Sequence, residues 1–136
     1  MPYVALVTLL ALTQYFWFSF RVMTARGRYG VAAPAVTGHE IFERHFRVHM
    51  NTQEQLILLL PSLWIFARFI SPIWASVLGL VYVIGRAIYA LSYVRDPKKR
   101  EFGFIISITP IALMMAGIAI WAIHAIIALA EVNSLG

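Results

Sequence analysis

Residues 39–66 read HEIFERHFRVHMNTQEQLILLLPSLWIF, a polar stretch from His39 to Gln55 that runs straight into an apolar one from Leu56 to Phe66. We read it as part of one helix starting near His39 or Glu40 and ending near Phe69. About thirty residues at helical rise make roughly 45 Å. That exceeds the ~30 Å hydrocarbon core of a bilayer, so the first turns are expected to project into the interface or beyond. The polar half cannot face lipid, where a central Arg or Asp costs about 2.5–3.5 kcal/mol on insertion scales. This helix therefore belongs inside a bundle, with its chemistry near one membrane face.

The rest of the chain supplies the bundle. Of the 136 residues, 61% are hydrophobic and only 12% are charged, against about a quarter charged in a soluble domain. About twenty apolar residues cross a membrane, and spans are expected at 2–22, 40–69, 72–94 and 102–130. The expected fold is all-α: a single four-helix integral membrane domain over 1–136. Met1 to Phe20 lacks a basic n-region, and its apolar run of about twenty residues is longer than a signal h-region, so it is expected to be retained as the first span. The connection from Met23 to Gly38 is rich in Gly, Ala and Pro, and the turn Phe69-Ile70-Ser71-Pro72 makes the second and third helices antiparallel.

Charge places the site. The net charge is +5, and Arg26, Arg28, Arg44, Arg47, Arg95, Lys98, Lys99 and Arg100 all belong to the first and third connections or to adjoining helix ends. The positive-inside rule puts those connections in the cytoplasm and both termini outside. A bacterial chain would sit in the inner membrane. The surplus reports topology rather than nucleic-acid binding.

Two stripes carry candidate chemistry. Arg47, Asn51 and Glu54 lie at i, i+4 and i+7 of the second helix. A solvated helix end with internal ion pairs would explain most such runs, but Glu54 is expected to sit deep and to need a partner. Tyr82, Arg86, Tyr89 and Tyr93 form a second stripe on the third helix. An aromatic belt explains Tyr93; Arg86 lies about two turns inside the helix and is expected to pair with an acid such as Glu54, or with a ligand. His45 and His49 are one turn apart, yet no third ligand stands at useful spacing, so no metal is expected. His124 is expected to be buried and hydrogen-bonded, or at an interface. With no cysteine, thiol chemistry requires a thiol from a substrate.

The run Phe42-Glu43-Arg44-His45-Phe46-Arg47-Val48-His49-Met50-Asn51-Thr52-Gln53-Glu54 resembles the signature of the MAPEG family, the membrane-associated proteins in eicosanoid and glutathione metabolism. Ala25-Arg26, Gly79-Leu80-Val81-Tyr82, Arg86, Tyr89, Tyr93, Arg95 and Arg100 stand at matching separations. The resemblance implies a homotrimer with glutathione sites between protomers. It implies that Arg47, Asn51, Glu54, Gln55, Tyr89 and Tyr93 hold glutathione as co-substrate, that a neighbour lends Arg26, and that Arg100 is catalytic beside the sulfur. Arg86 and His49 would support them. Departures fall at Gly27, where a second Arg is implied, and at Gln55, where an aromatic is implied; His49 resembles the prostaglandin E synthase branch.

The function this implies is glutathione transfer to a lipophilic electrophile delivered by the bilayer, together with peroxidase action on lipid hydroperoxides. The alternatives are a glutathione-dependent isomerase of the prostaglandin E synthase type and a non-catalytic lipid-binding scaffold. A small multidrug transporter would want a carboxylate in the first helix, and Val4 to Phe20 has no charged residue.

Overall fold

The computed structural model describes residues 1–134 as four helices: α1 Pro2–Tyr29, α2 Glu40–Phe69, α3 Pro72–Arg95 and α4 Glu101–Ser134. One turn of 3-10 helix, Pro97–Lys99, separates the last two. Helix α1 runs seven residues beyond the expected end at Val22 and stops at Gly30, whose left-handed φ of 65° sends its N–H back to the Arg26 carbonyl. Gly30 is the first residue there to leave helical geometry; only Gly30–His39 is connection. The start of α2 is fixed by side chains. The ring Nδ1 of His39 accepts from the Ile41 N–H at 3.2 Å, and Glu43 accepts from the Gly38 N–H at 3.0 Å. Ser71 caps α3 by accepting from the Trp74 N–H at 3.3 Å, and Pro72 follows at its first position.

Three of the helices, α1, α3 and the segment ending in α4, are long and apolar enough to cross a membrane. Helix α2 is not among them, because its polar half interrupts the apolar window. Helix α2 nevertheless runs antiparallel beside α3 along its length. Its Arg44 donates to the carbonyls of Val94 and Arg95 at the far end of α3, and its last turn joins α3 directly through Ile70 and Ser71. The two therefore share the same depth.

Helix α2 is the hub. Val48, Thr52, Gln55, Leu56, Leu59, Leu63 and Ala67 form its buried stripe at the three-to-four spacing of a helix face. Leu56, Leu59, Leu63 and Ala67 meet Val4, Val7 and Ala11 of α1, Ala75 and Tyr82 of α3, and Ile111 and Met114 of α4 in one core, while Val48 packs with Phe18, Tyr89 and Ala90 in a second. Helices α3 and α4 come together backbone to backbone. A Cβ on Gly85 would lie 2.7 Å from the Ser107 nitrogen, and one on Gly103 would lie 2.5 Å from the Tyr89 Cα.

Candidate functional site

That close approach sets the polar cleft. With α4 drawn against α3, its first turns stand opposite the middle of α2, and a cleft of about 690 Å³ opens between them. Asn51, Glu54 and Gln55 line one wall, Arg100 and Glu101 the other, and Tyr89 the space between. Leu58, Phe104, Ile105 and Ile108 continue it as an apolar channel. Polar groups at one end and greasy walls at the other suit a water-soluble molecule meeting a lipophilic one.

Tyr89 is the fixed point. It is 2% exposed, stacks on Tyr93 at 5.5 Å between ring centroids, and accepts a 2.6 Å hydrogen bond at its hydroxyl from the Asn51 amide. Arg86 lies under it, its guanidinium 4.1 Å from the Tyr89 ring centroid. Arg100 stands 5.8 Å from the Tyr93 ring centroid. The stripe of Tyr82, Arg86 and Tyr89 faces inward, as its spacing implies, with Tyr82 and Arg86 fully buried.

The expected ion pair between Arg86 and Glu54 is absent. Arg86 donates from Nη2 to the Thr52 hydroxyl at 2.6 Å and to the Val48 carbonyl at 3.5 Å. Its Nε and Nη1 have no protein partner. Glu54, expected to be deep and paired, is exposed in the protomer; the one ion pair among the described residues joins Arg44 to Glu40. A buried cation is held here by a hydroxyl, a carbonyl and an aromatic face instead of an acid. Because hydrogen bonds to charged groups contribute about 1.5–3 kcal/mol, Thr52→Val is expected to destabilise the protein by that amount in thermal unfolding. Thr52→Ser should restore it.

Other expected residues lie apart from the cleft. Arg26 uses its Nη1 to hold the carbonyls of Val31 (3.1 Å) and Ala35 (2.8 Å), and it covers the Phe42 ring. Within one protomer it braces the α1–α2 connection. Arg47 is exposed. His49 stacks on Tyr15 of α1 at 4.6 Å, whose hydroxyl donates to Gln53 at 3.2 Å, so it faces away from Arg100. His124, expected to be buried or at an interface, is exposed in the protomer. Among the described residues no three His, Asp or Glu side chains converge. Leu58, Glu101, Phe104, Ile105 and Ile108 were not anticipated. Their signal was in the spacing, since Leu58 follows Asn51 by two turns and Phe104 and Ile108 repeat Arg100 at i+4 and i+8.

Fold and cleft together define a four-helix membrane protein with an amphipathic site at one end of the bundle. The chain belongs to the MAPEG family, whose profile matches residues 4–120. It is 42% identical to an uncharacterized protein of Synechocystis over 113 residues, 83% of this chain and 82% of that one. It is 38% identical to human microsomal glutathione S-transferase 2 over 110 residues, 81% of this chain and 75% of that one. It is 36% identical to bovine leukotriene C4 synthase over 96 residues, 71% of this chain and 64% of that one.

Proposed function

We propose that the protein is a membrane-bound glutathione transferase that uses the cleft between α2, α3 and α4. The observation that carries this is the meeting of Arg100, Glu54, Asn51 and Tyr89 with an apolar channel in one cavity. Glutathione brings two carboxylates, an ammonium and a thiol. Glu54 receives the ammonium, the Asn51 amide and the Tyr89 hydroxyl hold the peptide, and Arg47, one turn before Asn51 and exposed outside the cleft, reaches a carboxylate at its edge. Gln55 lines the floor, and Tyr93 backs Arg100.

Arg100 supplies the chemistry. A free thiol has a pKa near 8.5 and reacts only as thiolate. A guanidinium beside the sulfur favours the charged form, each unit of lowering being worth about 1.4 kcal/mol. The thiol proton leaves to water. The thiolate then forms a carbon–sulfur bond to an electrophile held by Leu58, Phe104 and Ile108, and the electrophile's leaving group departs with the bonding pair. With a lipid hydroperoxide, two glutathiones give the disulfide, the alcohol and water.

The same reading takes the active protein as a homotrimer, with the site facing the cytoplasm. Arg47 and Glu54 are exposed on α2, and lipid would penalise both; a second copy covers them and lends its Arg26 to the cleft. Mixing purified protein with glutathione and following thiolate absorbance at neutral pH, then adding an aromatic electrophile, tests the proposal. Thiolate followed by conjugate is the expected result. Thiolate without conjugate would favour the isomerase, which returns glutathione unconsumed; folded protein that binds no glutathione would favour the lipid scaffold. Glu54→Gln is expected to raise the KM for glutathione about tenfold, an ion pair's share being on the order of 1.4 kcal/mol, with a smaller change in kcat.

A further inference from the structure

A second basic site lies on the other side of α2. Between α1 and α3, at the charged end of the bundle, lies a cavity of about 270 Å³ floored by His45 and Val48. Its mouth carries Arg21 and Arg95, and its walls are Trp17, Phe18, Leu91 and Val94. A smaller cavity of about 170 Å³ adjoins it, sharing Arg21 and His45 and adding Arg28 and Tyr29. Three arginines and a histidine thus line one groove, and no acid lines it.

The acids of the chain are committed elsewhere. Glu40 pairs with Arg44, Glu43 caps the Gly38 N–H, and Asp96 accepts from the Lys98 N–H. Glu54 and Glu101 line the other cleft, and Glu131 lies in the last turns of α4. The groove is therefore a cationic site with no anion of its own. Its cationic mouth grades into exposed apolar surface, with Trp17 54% and Leu91 62% exposed. The two adjoining cavities hold about 270 Å³ and 170 Å³, room for a headgroup, and the acyl chains stay outside on that apolar surface.

We infer that this groove binds the phosphate of an anionic phospholipid, whose acyl chains lie along Trp17 and Leu91. Basic pockets between membrane helices favour such headgroups. Arg21 and Arg95 approach the phosphate from α1 and α3, so an occupied site ties the two helices together at their charged ends. The inference is independent of the glutathione reading, because no residue of the groove lines the other cleft.

Native mass spectrometry of the detergent-purified full chain tests it, with phosphatidylglycerol and phosphatidylcholine of the same chains as competing probes. Retention of phosphatidylglycerol over phosphatidylcholine is expected. Each of Arg21→Gln and Arg95→Gln should weaken that preference about fivefold, one arginine near the surface being worth that factor, while the Arg→Lys pair preserves it. Glycerol phosphate without chains should not compete. Equal retention of the two lipids, an unchanged preference in a folded Arg21→Gln/Arg95→Gln variant, or full competition by glycerol phosphate would each overturn the inference.

Discussion

Arg100→Ala is expected to lower kcat/KM for conjugation of an aromatic electrophile about 100-fold, while glutathione still binds. Removing one preorganised donor from a developing or stabilised anion typically costs 10²–10³ in rate. Arg100 is exposed immediately before α4 and lines the cleft with Asn51, Glu54 and Tyr89. It has no acid as ion-pair partner among the described residues, so its charge is available to the sulfur. The decisive measurement is thiolate absorbance across pH. In the variant, the thiolate should appear only as pH approaches the ordinary thiol range, and Arg100→Lys should recover part of the shift. If Arg100→Ala kept both thiolate formation at neutral pH and full turnover, Arg100 would not be the activating group.

Gly103→Val is expected to have the largest structural effect. A Cβ there meets the Tyr89 backbone, with Tyr89 Cα at 2.5 Å, and backbone cannot rotate out of the way as a side chain can. Overpacking a well-packed contact costs about 1–3 kcal/mol, and a branched side chain against main chain belongs at the upper end. Relief requires α4 to move off α3. That separates Arg100 from Tyr89 and widens the cleft. Thermal unfolding and glutathione affinity should fall together, whereas Gly27→Ala, where a Cβ meets nothing within 4 Å, should leave both near the parent values. Wild-type stability and affinity in Gly103→Val would show that the helix contact does not set the cleft.

The helix limits were legible where side chains punctuate the chain. Ser71 and Pro72 announce the start of α3, and the polar run from His39 and Glu40 the start of α2. The end of α1 was not legible, because hydropathy reports where the apolar solvent ends, and α1 continues past it from Met23 to Tyr29. The cleft was partly legible. Asn51, Glu54 and Gln55 share a helix face by spacing, but their encounter with Arg100 depends on how closely α4 packs against α3. Of the two partners expected for Arg86, an acid or a ligand, the acid is absent for a physical reason. Reasoning from charge alone demands an acid, while the folded chain satisfies part of the guanidinium with Thr52, Val48 and the Tyr89 ring.

The mixed character of α2 has a consequence for biogenesis. Its apolar run from Leu56 to Phe66 is shorter than the ~20 residues that hold a lone helix in a bilayer, and Arg44, Arg47 and Glu54 oppose its partitioning. Emerging from the ribosome alone, α2 is a poor membrane anchor. The short turn at Ile70 and Ser71 hands it to α3, which is apolar enough on its own. The two must then enter the lipid as a hairpin, with α3 as the vehicle. A nascent chain stalled before α3 has emerged should leave the second segment extractable by alkali, and one stalled after it should not.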